Sequence, residues 1–525
     1  MAITKTEFLK LQNGSDIRGI ACEGIEGEAV NLTEEAAYAI GQAFAVWLMK
    51  KKGIGPDECI ISVGTDSRIT GPALKKQLIF GMLSQGIYVS DCGMASTPAM
   101  FMSIVYPETR YDGAVMITAS HLPFNRNGFK FFDSDGGLEK ADIREILTLA
   151  AELGGSVTEE DLSRTEVPDP EKLTDFELIS LYAANLCIKI CDAVNPPPQD
   201  EEDDAMLPAD YDEPLRGLRI IVDAGNGAGG FFATEVLAQL GADITGSAYL
   251  DPDGMFPNHI PNPENKAAMQ AICEATVANK ADLGLIFDTD VDRMSAVLSD
   301  GTPINRDSII AMISAILAPE HKGATIVTDS VTSDRLTDFL EGELGLKHLC
   351  YMRGYKNVIN KCKELNREGI DCPLAMETSG HGCLKENYYL DDGAFLAVKL
   401  VIAVAKAVKQ KKTIDHLIAK LSTEYKDREV RFPILTEDFR EYGSTILDAF
   451  KYRAKALNYE LPDSFEGIRI RFSGEHSGWM LLRASLHDPV MVLNMEGKTA
   501  KDLAWITEVA HHLLGGFDNL DLAAL

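Results

Sequence analysis

Six short apolar runs, each passing directly into a polar or glycine-rich loop, constrain this chain more than any other feature. IISV precedes GTDSR from Ile60, AVMI precedes TASH from Ala114, and RIIV precedes DAGNG from Arg219. Further along, LGLIF precedes DTDVDR from Leu283, ATIV precedes TDS from Ala324, and PLAM precedes ETSGHG from Pro373. Runs of four or five residues rich in Ile and Val, without alternation, are the pattern of parallel strands buried on both faces. Such sheets present their functional loops at the strand carboxyl ends, so the chemistry is expected there.

Between the runs lie amphipathic segments of helical character. Residues 34–52 follow Thr33 as N-cap, carry Glu34 and Glu35 in the first turn, and stop at Gly53 after three lysines. Alternating strands and helices predict an α/β fold with several sheets. AVMI and ATIV begin 105 residues either side of RIIV, which hints at a domain-sized repeat. Residues 195–214, NPPPQDEEDDAMLPADYDEP, concentrate prolines and acids and read as a mobile acidic loop. IRIRFSGEHSGWMLLRAS reads as two strands around a turn and 499–514 as a closing helix, an α+β tail.

Charge narrows the partners. Lys+Arg 50 against Asp+Glu 80 leaves −30 over 525 residues, which repels polyanions and argues against nucleic-acid or anionic-membrane binding. An anionic substrate therefore needs a local island of positive charge. The first residues lack the apolar core of a signal peptide, and the closest approach to a membrane span, 394–408, is interrupted by Lys399 and Lys406. A cytoplasmic protein is expected. The 10 cysteines include no C-x-x-C, and Cys187 and Cys191, one helical turn apart, are expected to share a buried face.

The strongest local signal is Asp288, Asp290 and Asp292, three carboxylates at alternate positions directly after an apolar run. Extended backbone would put them on one side, and three hard oxygen donors with open positions suit Mg²⁺. Arg293 at the sixth position and Ser299 at the twelfth exclude an EF-hand. A solvated acidic turn is the plainer reading, and an aspartyl-phosphate nucleophile of the haloacid-dehalogenase type is a competitor. The second signal is T-A-S-H, with Ser120 and His121 followed by Asn125, Gly128 and Lys130. Here the makings of a phosphoryl or acyl acceptor stand beside the simpler role of a turn serine.

These residues carry a resemblance. ITASHLPFNRNGFKFF resembles the phosphoserine loop of the α-D-phosphohexomutase superfamily, T-A-S-H-N-P followed by N-G-x-K. FDTDVDR is similar to that family's D-x-D-x-D-R metal loop, ETSGH to its E-x-S-G-H sugar loop, and RASLHDP to its R-x-S-x-x-x-P phosphate loop. SDIRG, GTDSR, DAGNGAG and LDPDGMFPNHIPNPE add further matches, all in the family's order. N-G-F-K and R-A-S look like the phosphomannomutase/phosphoglucomutase branch, whereas phosphoglucosamine mutases resemble N-G-I-K and R-P-S-G-T-E-P.

The resemblance implies three mixed-sheet α/β domains of similar topology, 1–165, 166–303 and 304–422, and a smaller C-terminal α+β domain, 423–525, around a central cleft. It implies interconversion of hexose 1-phosphate and hexose 6-phosphate through a phosphoserine at Ser120 and a hexose 1,6-bisphosphate, which also primes the enzyme. Mg²⁺ would be held by Ser120, Asp288, Asp290 and Asp292. Arg18, Lys130, His121, Arg293 and His381 fall at catalytic positions, and a lowered Lys130 pKa would suit a base. Glu377, Ser379, Lys356, Arg483 and Ser485 fall at substrate-binding positions, while Asp66 and Arg68 are expected to support the phosphoserine loop. The implied partners are small hexose phosphates, and the implied state is a monomer or homodimer. Leu122, Met376, Thr378, and Leu486, His487 and Asp488 depart from the family pattern, and Asp488 would repel a phosphate. A phosphoglucosamine mutase, a haloacid-dehalogenase-type phosphatase and a non-catalytic sugar-phosphate binder are the alternatives.

Overall fold

In the computed structural model each of the six apolar runs forms a strand, and the strands pair by one rule used three times. Ile60–Thr65 lies parallel to Tyr88–Met94 on one side and Gly113–Ile117 on the other, and Gly113–Ile117 turns back into antiparallel Arg126–Asp133. Thr325–Thr328 lies likewise between Lys347–Cys350 and Leu374–Met376, and the latter turns back into Gly382–Leu384. Ile220–Asp223 is parallel to Leu283–Phe287, which turns back into Met294–Leu298, and its other flank is bridged in parallel at Asp243 and Ala248. TASH, DTDVDR and ETSGH are thus the same connection of three related sheets. The 105-residue spacing equated AVMI with RIIV and ATIV, but AVMI is the strand before the hairpin, and its counterparts are LGLIF and PLAM.

Residues 3–155, 157–197, 207–485 and 488–525 are described; residues 198–206 of the acidic loop, and Leu486 and His487, lie outside them. The chain forms two units, Met1–Ile304 with Leu390–Thr413, and Asn305–Tyr389 with Ile414–Leu525. In the first, the helix Glu34–Lys52 has the expected bounds, with Thr33 accepting from the Ala36 N–H and Gly53 at φ +68° ending it. Its apolar face packs with helices Gly71–Leu83 and Lys140–Gly154 over the first sheet. Leu173–Asp175 adds a parallel strand to that sheet beyond residue 165.

Helix Gly393–Lys409, expected with the third domain, belongs to the first unit. The buried Tyr182 hydroxyl lies 2.7 and 2.8 Å from the two carboxylate oxygens of its N-cap, Asp392, and shares its one proton between them. Cys187 and Cys191 lie on Leu178–Val194, the second buried and the first half-buried. In the second unit Lys426–Pro433, Val490–Gly497, Gly478–Ala484 and Ile468–Phe472 form an antiparallel sheet in that order, covered by helices Phe439–Ala456 and Ala500–Leu514. Among the described residues no helix is long and apolar enough to cross a membrane.

Candidate functional site

In the first unit the candidate site residues come mainly from two hairpin connections. Ser120 sits at φ +51°, a left-handed conformation uncommon for a residue with a Cβ. Its N–H donates to Thr118 Oγ1 at 2.8 Å, and Thr118 Oγ1 donates to Asp66 Oδ2 at 2.6 Å. Arg68 is fully buried and explains how the loop keeps this shape. One guanidinium donates to four loop carbonyls, those of Ser120, Leu122 at 2.6 Å, and Pro123 and Arg126 at 2.8 Å. Asp66 and Arg68 therefore support the loop, as expected. Arg18 does the same from the edge of the sheet, donating to the Ala119 carbonyl at 2.7 Å and pairing with Asp16 at 2.9 Å.

The acidic connection is not extended, as its alternating pattern suggested. It is a tight turn in which Asp288 N–H donates to the Arg293 carbonyl at 3.3 Å and Val291 takes φ +66°. A β-branched residue there is strained, and its burial and the Gly393 N–H on its carbonyl at 3.0 Å hold it in place. The turn, rather than a shared strand face, makes the carboxylates converge: one oxygen each from Asp288, Asp290 and Asp292 lies within 4.8 Å of the others. Gly227 of the DAGNGAG loop packs on this turn, and a Cβ there would stand 2.6 Å from the Thr289 carbonyl oxygen.

Ser120 Oγ donates to Asp288 Oδ2 at 2.8 Å and accepts from Arg293 Nη2 at 3.0 Å, with His121 Nδ1 at 3.3 Å. Arg293 also donates to His121 Nδ1, and through Nε to Asp288 at 3.2 Å. Lys130 Nζ donates to Asp290 Oδ2 at 2.7 Å and to Asp292. Thr97, which sequence reasoning missed, donates to Asp290 Oδ2 at 2.5 Å and through its N–H to the Asp290 carbonyl at 2.8 Å. Its S-T-P setting before a helix carried only a capping signal.

Burial, then Asp292 and Asp290, push the Asp288 carboxyl well above the usual carboxylate range. Burial works against the charge on Lys130, but Asp290 and Asp292 outweigh it and hold the ammonium well above its ordinary value. The expectation of a lowered Lys130 pKa is corrected accordingly: burial and Arg18 lower it, but the buried carboxylates beside it outweigh them. The donor set fits Mg²⁺, because it is all oxygen, is converged, and includes a buried Asp290 Oδ1 with no hydrogen-bond partner among the described residues.

The second unit carries the other expected residues. Glu377 to His381 form a turn closed by the Glu377 N–H on the His381 carbonyl at 2.8 Å, with Gly380 at φ +95°. Glu377 Oε1 accepts from the Gly354 N–H at 2.7 Å, and burial, then Asp329, push its carboxyl up to about 7. Thr378 donates to Asp329 through both N–H and Oγ1, at 3.2 and 2.8 Å. Ser379 Oγ is buried without a hydrogen-bond partner among the described residues. The His381 ring stacks on Tyr355 at 5.4 Å, and Lys356 follows Tyr355 at the start of helix Tyr355–Arg367.

Arg483, on Gly478–Ala484, has a buried Nε without a partner among the described residues, and its Nη1 is 3.8 Å from Glu466. Burial, then Arg353, lower its pKa. Glu466 was also missed; it accepts from Ser330 Oγ at 2.6 Å and the Arg353 N–H at 3.0 Å. Ser485 Oγ accepts from the Asp488 N–H at 3.3 Å, and Asp488 is exposed.

Matches to known proteins agree with this geometry. Models of phosphoglucomutase/phosphomannomutase α/β/α domains I, II and III match residues 10–154, 206–301 and 305–425. A phosphomannomutase/phosphoglucomutase of Pseudomonas aeruginosa is 28% identical over 505 residues, 96% of this chain and 95% of its own. A phosphoglucosamine mutase of Lactobacillus delbrueckii is 30% identical over 434 residues, 81% of this chain and 86% of its own. A crystal structure of a phosphoglucomutase/phosphomannomutase family protein from Burkholderia thailandensis shares the fold with TM-score 0.74 at 24% identity, covering 98% of this chain and 97% of that one. The chain belongs to the phosphoglucomutase/phosphomannomutase family of the α-D-phosphohexomutase superfamily. It is accordingly an enzyme of the isomerase class, a phosphohexomutase.

Proposed function

We propose that this phosphohexomutase interconverts the 1-phosphates and 6-phosphates of mannose and glucose, with Ser120 as phosphoryl carrier. The supporting observation is the Ser120 hydroxyl, buried on a left-handed residue and engaged at once by Asp288 and Arg293. Phosphorylated Ser120 gives its phosphoryl group to the free hydroxyl of a hexose phosphate, and the resulting 1,6-bisphosphate returns its other phosphoryl group to Ser120. A trace of bisphosphate primes unphosphorylated enzyme.

Phosphoryl transfer depends on alignment and on neutralising the equatorial oxygens. Arg293 is aimed at the serine oxygen, and Arg18 and Arg68 fix the loop that carries it. Mg²⁺ held by Asp288, Asp290, Asp292 and the phosphoserine would supply Lewis-acid charge neutralisation. Lys130, hydrogen-bonded to Asp290 and Asp292, would balance their charge. His121 Nδ1 accepts from Arg293 beside Ser120 and so helps to hold the guanidinium there.

In the second unit Glu377 and Ser379 would read two sugar hydroxyls common to the accepted hexoses, with His381 and Lys356 assisting. Arg483 and Ser485 would clamp the phosphate that does not react. The partnerless Ser379 Oγ and Arg483 Nε support these assignments, since each is a buried group with capacity for a ligand. Cytoplasmic location and a monomeric or homodimeric state complete the reading.

The 30% identity to a phosphoglucosamine mutase favours a second substrate reading, glucosamine phosphate. Phosphorus NMR of the enzyme with Mg²⁺, primer and an equimolar mixture of the three 1-phosphates tests both. Mannose or glucose 6-phosphate is expected, glucosamine 6-phosphate alone would move the reading to the neighbouring branch, and inorganic phosphate alone would overturn the mutase.

A further inference from the structure

A buried ion pair outside the residues assigned above reaches the arginine beside Ser120. At the end of Ile220–Asp223, the Asp223 carboxylate lies 2.9 and 3.1 Å from His259 Nε2, and the two side chains are 2% and 5% exposed. The other ring nitrogen, Nδ1, is 3.0 Å from the Ile260 carbonyl oxygen. A carboxylate and a carbonyl only accept, so the contacts at the two nitrogens are satisfied together by the doubly protonated ring, an imidazolium. The groups facing the ring are Asp223, which also accepts from the Gly225 N–H at 2.9 Å, and Tyr249, edge-on at 5.2 Å. Burial opposes the ring's charge, and Asp223 more than offsets it, raising the pKa.

The charge has a structural consequence. The Ile260 carbonyl also accepts from the Asn262 N–H at 2.8 Å, so imidazolium and Asn262 are fastened to one oxygen. Asn262 Oδ1 in turn accepts from the Glu264 N–H at 3.0 Å and Arg293 Nη1 at 3.3 Å, while Arg293 Nη2 reaches Ser120 Oγ at 3.0 Å. We propose that His259 is a positioning residue for the mutase reaction: as a fixed imidazolium it pins the turn through Ile260 to Asn262, and Asn262 sets the Arg293 guanidinium against Ser120. The inference rests on the assignment of Ser120 as phosphoryl carrier. His259 acts through Asn262 and Arg293 and touches no reacting atom.

The test compares wild type, His259→Gln, Asn262→Ala and the double variant in the mutase assay, with nitrogen NMR of the His259 ring in the wild type. Glutamine can donate to Asp223 but supplies no second nitrogen for Ile260. His259→Gln is expected to lower kcat roughly 10-fold, because small misplacements of a positioned group cost that order, with KM changed by less than roughly 2-fold. The double variant should be no slower than Asn262→Ala, since both changes cut one path. Both ring nitrogens should be protonated at neutral pH. An unchanged kcat in His259→Gln, multiplied losses in the double variant, or a neutral ring would each overturn the proposal. Should His259→Gln not fold, Asp223→Asn is the second variant: it should lower both the His259 pKa and kcat, and unchanged turnover with a lowered pKa would equally overturn the proposal. A wild type without turnover overturns the Ser120 reading and this one with it, whereas an active wild type beside an unaffected variant overturns this one alone.

Discussion

At the residue scale the first unit's site is a problem in charge compensation. Asp288, Asp290 and Asp292 are buried together, and Lys130 and Arg293 are the cations hydrogen-bonded to them. Lys130→Met would leave Asp290 and Asp292 facing each other, at a cost of about 3 kcal/mol in urea melts without divalent ions, and added Mg²⁺ should restore part of it. No rescue by Mg²⁺ would count against a metal role for the three aspartates. Ser120→Ala removes one donor to Asp288 and leaves the loop's backbone bonds untouched. It is expected to keep a wild-type melting profile and lose turnover altogether; measurable turnover in the verified variant would eliminate the phosphoserine route.

At the element scale, what matters is how loops are braced by neighbours distant in sequence. Gly227→Ala would press a methyl against the Thr289 carbonyl and shift the acidic turn. A loss of about 1–3 kcal/mol in stability is expected, together with weaker Mg²⁺ activation, measured by metal titration of activity. The helix Gly393–Lys409 is tied to Leu178–Val194 by the Tyr182 hydroxyl on Asp392. Tyr182→Phe strips a buried carboxylate of the hydroxyl donor it shares between its two oxygens and should cost about 1–3 kcal/mol in a denaturant melt, with kcat unchanged. Helix existence and bounds were legible in places such as 34–52, where cap, charge and stop signals agree. The partners of Gly393–Lys409 were not, because an apolar face records that it is buried and not against what.

At the scale of the whole molecule, several buried carboxyls set how stability follows pH. Asp66 is pushed up to about 6 from 3.8, mainly by burial, and Glu377 to about 7 from 4.5. A folded-state pKa above the unfolded one favours the protonated form, so each contribution is fully present below the unfolded value and is lost as pH rises through the folded one. Thermal stability should therefore receive a falling contribution between about pH 4.5 and 7 from Glu377, and Glu377→Gln should flatten that part of the profile. An unchanged slope in the variant would remove Glu377 as its source. By itself the sequence determined that the chain is α/β, that its strands end in TASH, DTDVDR and ETSGH, and which side-chain chemistry those loops hold. Strand burial and loop composition are local properties, written in neighbouring residues. Only the tertiary structure decided that Ser120 meets Asp288 across 168 residues, that the DTDVDR connection is a turn rather than a strand, and that Lys130 lies on Asp290 and Asp292. These outcomes depend on hydrogen bonds and buried charges between distant segments, whose geometry is fixed by sheet pairing and has no local pattern to announce it.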